Sequence, residues 1–280
     1  MSELSELVER ALAEDVGLGD VTSRALVPAD ARARARIVQK RPGVVFGIDA
    51  AAEALSQAGA DELDRLVAEG EWRDSVPAEV AVATGPARAL LAAERTALNL
   101  ICHLSGVATL TARFIDAVRG SGAVILDTRK TTPGLRSLEK QAVVAGGGRN
   151  HRMGLYDAIL IKENHVAIAG GIGAAVERAR AAEPGREVEI ECRDLDEVTA
   201  ALAAGAARVL LDNMSVDDLR AAVARRDSVA GERRPPLEAS GGVTLDNVAA
   251  VAATGVEFIS VGALTHSAPA LDLSMLLEVG

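Results

Sequence analysis

The chain has 280 residues, 49% hydrophobic and 25% charged, with a formal net charge of -10. Such a balance supports one substantial core or two smaller ones and excludes disordered and collagen-like classes. Aromatic residues make up only 2%, too few for a base-stacking platform, and the acidity opposes general affinity for nucleic acid or acidic membranes, so any anion site has to be local.

The segment Met1 to Glu14 is acidic and amphipathic and lacks the basic start and apolar core of a signal peptide; no later stretch approaches a membrane span, and a cytoplasmic protein is expected. Leu4, Leu7, Val8 and Leu12 recur at helical spacing until Gly17 and Gly19 break the pattern. In "ARARARIVQ" Ala alternates with Arg32, Arg34 and Arg36, the period of a half-exposed strand. After the "RPG" turn come "VVFG", a helix from about Asp49 to Ala58, a strand around "EVAVATG" and a helical run from Ala87 to His103. Cys102 and Cys192 fit neither a disulfide framework nor a zinc spacing and are expected to be packed core thiols.

From about Ala123 short apolar runs alternate with helical segments: "AVILD", "YDAILIK", "EVEIE", "ARVLLD", "PLEAS" and "VEFISV". Serial strand and helix implies parallel strands, and six units favour a closed or nearly closed α/β barrel over an open doubly wound sheet, since neither a Rossmann fingerprint nor a GxxxxGK[ST] loop occurs. Polar residues end nearly every strand: Asp127, Thr128, Arg129 and Lys130; Lys162, Glu163 and Asn164; Glu191; Asp212 and Asn213; Ser240, Gly241 and Gly242; Gly262. In a parallel barrel these ends share one face, the one that carries active sites.

Between Thr128 and Leu155 lie Arg129, Lys130, Arg136, Lys140, Arg149 and Arg152 against the single acid Glu139. Arg129, Lys130 and Arg152 are the expected anion binders, because planar guanidinium groups grip carboxylates and phosphates bidentately; Arg136, Lys140 and Arg149 read as helix or loop decoration. "ASGGV" and "SVGAL" follow the last two strands and suit a phosphate, though tight turns also require glycine. Glu191 and Asp212, ending neighbouring strands, offer hard oxygen ligands for Mg²⁺, or else salt bridges to nearby lysines. His151 and His266 lie in loops on the same rim, and His165 reads as a residue that caps or packs locally.

The segments "ERTALNLICHLSGVAT", "DTRKTTPGLRSLEKQAV", "GGGRNHRMGLYDAILIKENH", "EIE", "LLDN", "SGG" and "GALTHS" stand in the order found in quinolinate phosphoribosyltransferases, also called nicotinate-nucleotide pyrophosphorylases (carboxylating), and the chain resembles that family over almost its whole length. The resemblance implies an N-terminal α/β sandwich domain over 1–107, joined by the tail 268–280, and a TIM-like α/β barrel of the type II phosphoribosyltransferase class over 108–267. It implies transfer of the phosphoribosyl group of phosphoribosyl pyrophosphate to quinolinate with decarboxylation, in de novo NAD biosynthesis, with Mg²⁺. It implies a homodimer with shared active sites, further assembly to hexamers remaining open. Arg95 is then donated across the interface; Thr128, Arg129, His151, Arg152 and Lys162 face quinolinate. Lys130, Glu191, Asp212, Ser240, Gly241, Gly242, Gly262 and His266 handle the co-substrate and its metal, Lys140 supports, and Lys130, Lys162, Glu191 and Asp212 are the expected catalytic groups. The competing readings are a nicotinate-specific transferase, which needs fewer guanidinium groups, a phosphate-binding aldolase or isomerase, and a non-catalytic anion binder.

Overall fold

The computed structural model describes residues 2–229 and 234–279. The chain divides into two compact units, Met1–Ala112 with Pro133–Gly147 and Ala268–Gly280, and Arg113–Thr132 with Gly148–Ser267.

In the first unit, helix α1 (Glu3–Val16) starts where the Ser2 hydroxyl accepts the Ser5 N–H, buries Val8 and Leu12, and stops at Gly17, whose φ of 52° disfavours a side chain. Helix α2 (Val21–Leu26) is capped by Asp20, which accepts the Thr22 and Ser23 N–H groups. Strand β1 (Arg32–Gln39) buries Ala33, Ala35 and Ile37 on one face. On the other face Arg36 pairs with Glu79 at 2.8 Å and Arg34 with Glu278 at 3.4 Å. Then come β2 (Gly43–Val44), α3 (Ile48–Gln57), β3 (Glu62–Arg65), β4 (Trp72–Arg73), β5 (Ala78–Pro86) and α4 (Ala87–Ala117). Helix α4 runs well past His103 because Leu104, Val107, Ala108, Thr111 and Phe114 continue its buried face; a Cβ at Gly106 would lie 2.3 Å from the Pro269 carbonyl oxygen, so glycine is tolerated there for close approach. Its length and an apolar stretch of mean hydropathy 1.3 would suit a bilayer crossing, contrary to the expectation that no segment comes near one, but 61% of that stretch is buried, as in a core helix.

Strand β6 (Val124–Leu126) opens the parallel system, and α5 (Arg136–Ala145) follows. This helix departs from the sequence-based division, since Pro133–Gly147 groups with the first unit and the boundary there falls after Ala112. His103 of α4 lies 2.8 Å from Glu139 of α5, and a Cβ at Gly146 would sit 2.4 Å from the Ala108 carbonyl oxygen, so the two helices are tied together. Lys140 is completely buried, which corrects its reading as surface decoration. The chain continues through β7 (Ile159–Ile161), α6 (Glu163–Ala169), α7 (Ile172–Ala182), β8 (Val188–Cys192), α8 (Leu195–Ala203), β9 (Arg208–Asp212), α9 (Val216–Val229), β10 (Leu237–Ser240), α10 (Val248–Ala252), β11 (Phe258–Ser260) and α11 (Ala263–His266). Strand β12 (Leu273–Val279) returns to the first unit and pairs antiparallel with β1, giving a four-stranded sheet in the order β12-β1-β5-β3.

The second unit holds a six-stranded sheet in the order β6-β11-β10-β9-β8-β7, every ladder parallel. Strands from β7 to β11 lie beside their chain neighbours, and β11 then pairs with β6, as an α/β barrel requires. Among the described residues no ladder joins β6 to β7; beside β6, Leu126 instead bridges in parallel to Arg149. Val188, Ile190, Val209, Leu211, Leu237, Ala239 and Ile259 are buried on one face of these strands. By the two-residue period, Glu189 with Glu191, Arg208 with Asp212, and Glu238 with Ser240 fall on the opposite face. The barrel interior is therefore polar where an ordinary one is apolar.

Candidate active site

A cavity of 570 Å³ opens at the C-terminal ends of the parallel strands. Thr128, Arg129, Lys130, His151, Arg152, Lys162, Glu191, Asp212, Ser240, Gly241, Gly242, Gly262 and His266 all line it, with Leu160, Leu210, Val243, Thr244 and Ala263 supplying apolar and neutral wall. The site residues expected from the sequence are thus gathered there except two: Lys140, expected to support, is buried in the first unit and does not line the cavity, and Arg95 lies on α4 in the first unit, largely exposed, its guanidinium 3.9 Å from Glu94.

Backbone contacts hold the cationic side. The Lys130 N–H donates to the Thr128 hydroxyl at 3.1 Å, and the Thr265 hydroxyl donates to the Lys130 carbonyl at 2.8 Å, fixing the loop after β6 against α11. Buried Asp127 accepts the His151 N–H at 2.9 Å. The Arg152 N–H donates to His151 Nδ1 at 2.7 Å, and Asp157 accepts the Met153 and Gly154 N–H groups, which shapes the turn beyond. Burial, and after it the charge of Arg129, pull the Arg152 guanidinium below its ordinary pKa, with Glu189 and Asp157 opposing. Two guanidinium groups close enough to disfavour each other form a pocket that an anion stabilises.

Lys162 ends β7 and starts α6, whose N-terminus is closed by His165: its Nδ1 accepts the Lys162 N–H at 2.9 Å, the capping role read from the sequence. The Lys162 ammonium donates to Glu191 Oε2 at 2.5 Å, so the lysine bridge is realised at one of the two carboxylates. At the end of β9, Asp212 Oδ2 accepts the Asn213 side-chain amide at 3.0 Å. Asn213 adopts φ 54°, and its side chain fills the space over Gly241, where a Cβ would fall 2.2 Å from Oδ1; Gly241 itself has φ 94°. Glycine is needed there on both counts. His266 Nδ1 lies 2.6 Å from the Ser267 hydroxyl, and a Cβ at Gly262 would come within 3.2 Å of His266 Nε2.

Below this rim lies a charged layer that the sequence reading missed. His151 Nε2 is 3.0 Å from Glu189 Oε2 and 3.6 Å from Glu238 Oε1. Arg208 Nη1 donates to Glu238 Oε2 at 3.1 Å and stacks on Phe258, and the Ser260 hydroxyl donates to Glu238 Oε1. Burial alone would lower the His151 pKa, but the Glu189 hydrogen bond and the Glu238 and Glu189 charges outweigh it and raise it. His151, Glu189 and Glu238 offer ligand atoms within 4.8 Å of one another, yet Arg208 already supplies positive charge to this cluster. The available signal was period two: Glu189, Arg208 and Glu238 stand inside strands too apolar to carry a charge without a purpose. The Cys192 thiol is buried and pushed up to about 12 by burial and next by Glu197, an inert thiol as expected.

Residues 20–105 match the family model described as the N-terminal domain of quinolinate phosphoribosyl transferase, and residues 107–276 match that of its C-terminal domain. The chain is 46% identical over 276 residues to a nicotinate-nucleotide pyrophosphorylase [carboxylating] of Mycobacterium leprae, covering 96% of this chain and 95% of the relative. A probable nicotinate-nucleotide pyrophosphorylase [carboxylating] of Bacillus subtilis is 41% identical, covering 98% and 93%. Among solved structures, the nicotinate-nucleotide pyrophosphorylase from Francisella tularensis superposes with a TM-score of 0.92 at 38% identity, covering 99% of this chain and 96% of that one.

Proposed function

The chain belongs to the quinolinate phosphoribosyltransferase family, and from that premise we propose that it joins quinolinate to phosphoribosyl pyrophosphate, releasing pyrophosphate and carbon dioxide to give nicotinate mononucleotide in de novo NAD biosynthesis. The observation that carries this reading is the meeting of Arg129, Arg152, Lys130 and Lys162 in one cavity with two hard carboxylates, Glu191 and Asp212. A ring bearing two adjacent carboxylates and a polyphosphate are both anions, and they share a cavity only if fixed cations offset their repulsion.

Arg129, Arg152, His151 and Thr128 hold the ring dicarboxylate. Lys162, half-exposed and paired with Glu191, exchanges that partner for substrate. Lys130 and the backbone of Ser240, Gly241, Gly242 and Gly262, with His266, receive the phosphoribosyl pyrophosphate. Glu191 and Asp212 fit Mg²⁺, because both are oxygen donors at neighbouring strand ends and this ion takes one or two protein carboxylates together with substrate phosphates. When bound, Mg²⁺ would neutralise pyrophosphate charge. The chain's own residues orient the pyridine nitrogen opposite the departing group, and Lys130 and Lys162 stabilise the leaving oxygens as the ribose carbon gains oxocarbenium character. Loss of the carboxylate next to the nitrogen follows, the pyridinium acting as electron sink.

Arg95 belongs to the same proposal as the residue supplied by a second copy, which makes the working unit a homodimer, located in the cytoplasm. Purified protein with quinolinate, phosphoribosyl pyrophosphate and Mg²⁺ is expected to release pyrophosphate and carbon dioxide together, and chelation of the metal is expected to stop both. Equal or better use of nicotinate would overturn the substrate assignment.

A further inference from the structure

The proposed chemistry leaves one proton unassigned: when the carboxylate beside the ring nitrogen departs, the ring carbon keeps the bonding pair and must gain a hydrogen. Glu238 is fully buried, yet it forms part of the cavity wall. Every element packed around it contributes a polar group: Arg208 from β9, Ser260 from β11, Glu189 from β8 and His151 from the segment between α5 and β7, with Asp127 behind His151. His151 Nδ1 accepts the Arg152 N–H, which places the ring's one proton on Nε2, facing Glu189, and opposes the second ring proton that the two carboxylates favour. Two carboxylates, one guanidinium and a neutral imidazole carry one net negative charge, and Glu189 Oε1 has no hydrogen-bond partner among the described residues. A dianionic ring bound above that layer raises the cost of the excess charge, and one added proton removes it.

We propose that Glu238 is the acid that holds this proton and delivers it to the ring carbon from which carbon dioxide leaves. The inference rests on the proposed reaction. Burial, and next the charge of Glu189, push the Glu238 carboxyl up to about 7 against the pulls of His151, Ser260 and Arg208. In the step itself the bond between ring carbon and carboxylate carbon breaks, and its electron pair stays on the ring carbon beside the pyridinium nitrogen. That pair then takes the Glu238 proton, leaving a carboxylate that Arg208 and Ser260 stabilise. Solvent reloads the acid after the product leaves.

Single-turnover reactions that time pyrophosphate and carbon dioxide release separately test the assignment. In the unaltered protein, decarboxylation is expected to slow as pH rises through about 7, while pyrophosphate release does not follow that profile. In Glu238→Gln, carbon dioxide release is expected to slow by about tenfold or more relative to pyrophosphate release, with the dicarboxylate mononucleotide accumulating. Ser260→Ala keeps the acid but removes a hydrogen bond to its ionised form, so the falling limb is expected at higher pH. Wild-type timing of both products in Glu238→Gln, or a decarboxylation rate flat across neutral pH in the unaltered protein, overturns the role of Glu238. Should Glu238→Gln fail to fold, the profiles of the unaltered protein and Ser260→Ala decide. Absence of any pyrophosphate release in the unaltered protein would instead remove the reaction itself.

Discussion

Glu238→Gln also has a consequence for stability that requires no substrate. The unfolded chain loses this proton near the ordinary carboxyl value of 4.5, whereas the folded chain keeps it until about 7. Between those values the folded state binds more protons, so its stability falls as pH rises; the contribution is intact below 4.5 and fully lost above 7. The gap corresponds to about 3 kcal/mol in all, of which about 2 kcal/mol falls between roughly pH 5.5 and 8. His151, also raised, loses its contribution in the same direction. Glutamine keeps the shape and does not titrate. The variant is therefore expected to gain on the unaltered protein by about 2 kcal/mol over that interval, read as a pH-dependent difference in urea midpoint at unchanged slope. A difference constant with pH would show that Glu238 is not held protonated by its surroundings, and the electrostatic reasoning would fail with it.

Arg129→Ala removes one of the paired guanidinium groups, and calorimetry is expected to show quinolinate binding weakened by about 2 kcal/mol, with a much smaller loss for phosphoribosyl pyrophosphate; comparable losses for both would refute its role. Gly241→Ala meets Asn213 and a φ of 94°, so a backbone penalty of about 1–3 kcal/mol is expected together with a higher KM for phosphoribosyl pyrophosphate, and an unaltered KM would separate this turn from phosphate binding. Mixing Arg95→Ala subunits with Lys130→Ala subunits is expected to restore part of the activity that each variant lacks alone. No recovery in verified mixed dimers would count against a shared site.

Much of the architecture was legible because it depends on local periodicity. The alternation in "ARARARIVQ" became β1 with its alanines buried, and all six apolar runs after Ala123 became parallel strands. Element lengths were less legible: α4 outruns its expected end by fourteen residues, from His103 to Ala117, because whether a small-residue helix continues depends on what packs against it. Short strands such as β3 and β4 carry too little pattern to announce themselves.

The sequence by itself determined which strand-end side chains meet at the rim, since residues at the ends of parallel strands must share a face whatever the details of packing, whereas His151 and Arg152 reach it from the segment between α5 and β7. Tertiary structure alone decided what lies beneath them. Glu189, Arg208 and Glu238 come from three different strands, and their ionisation depends on separations of a few ångströms and on burial, neither of which a one-dimensional pattern encodes. The same reason explains why α5 left the barrel for the first unit and why Lys140 is enclosed. Charge is written in the chain, but its energetic meaning is set by the neighbours that folding supplies.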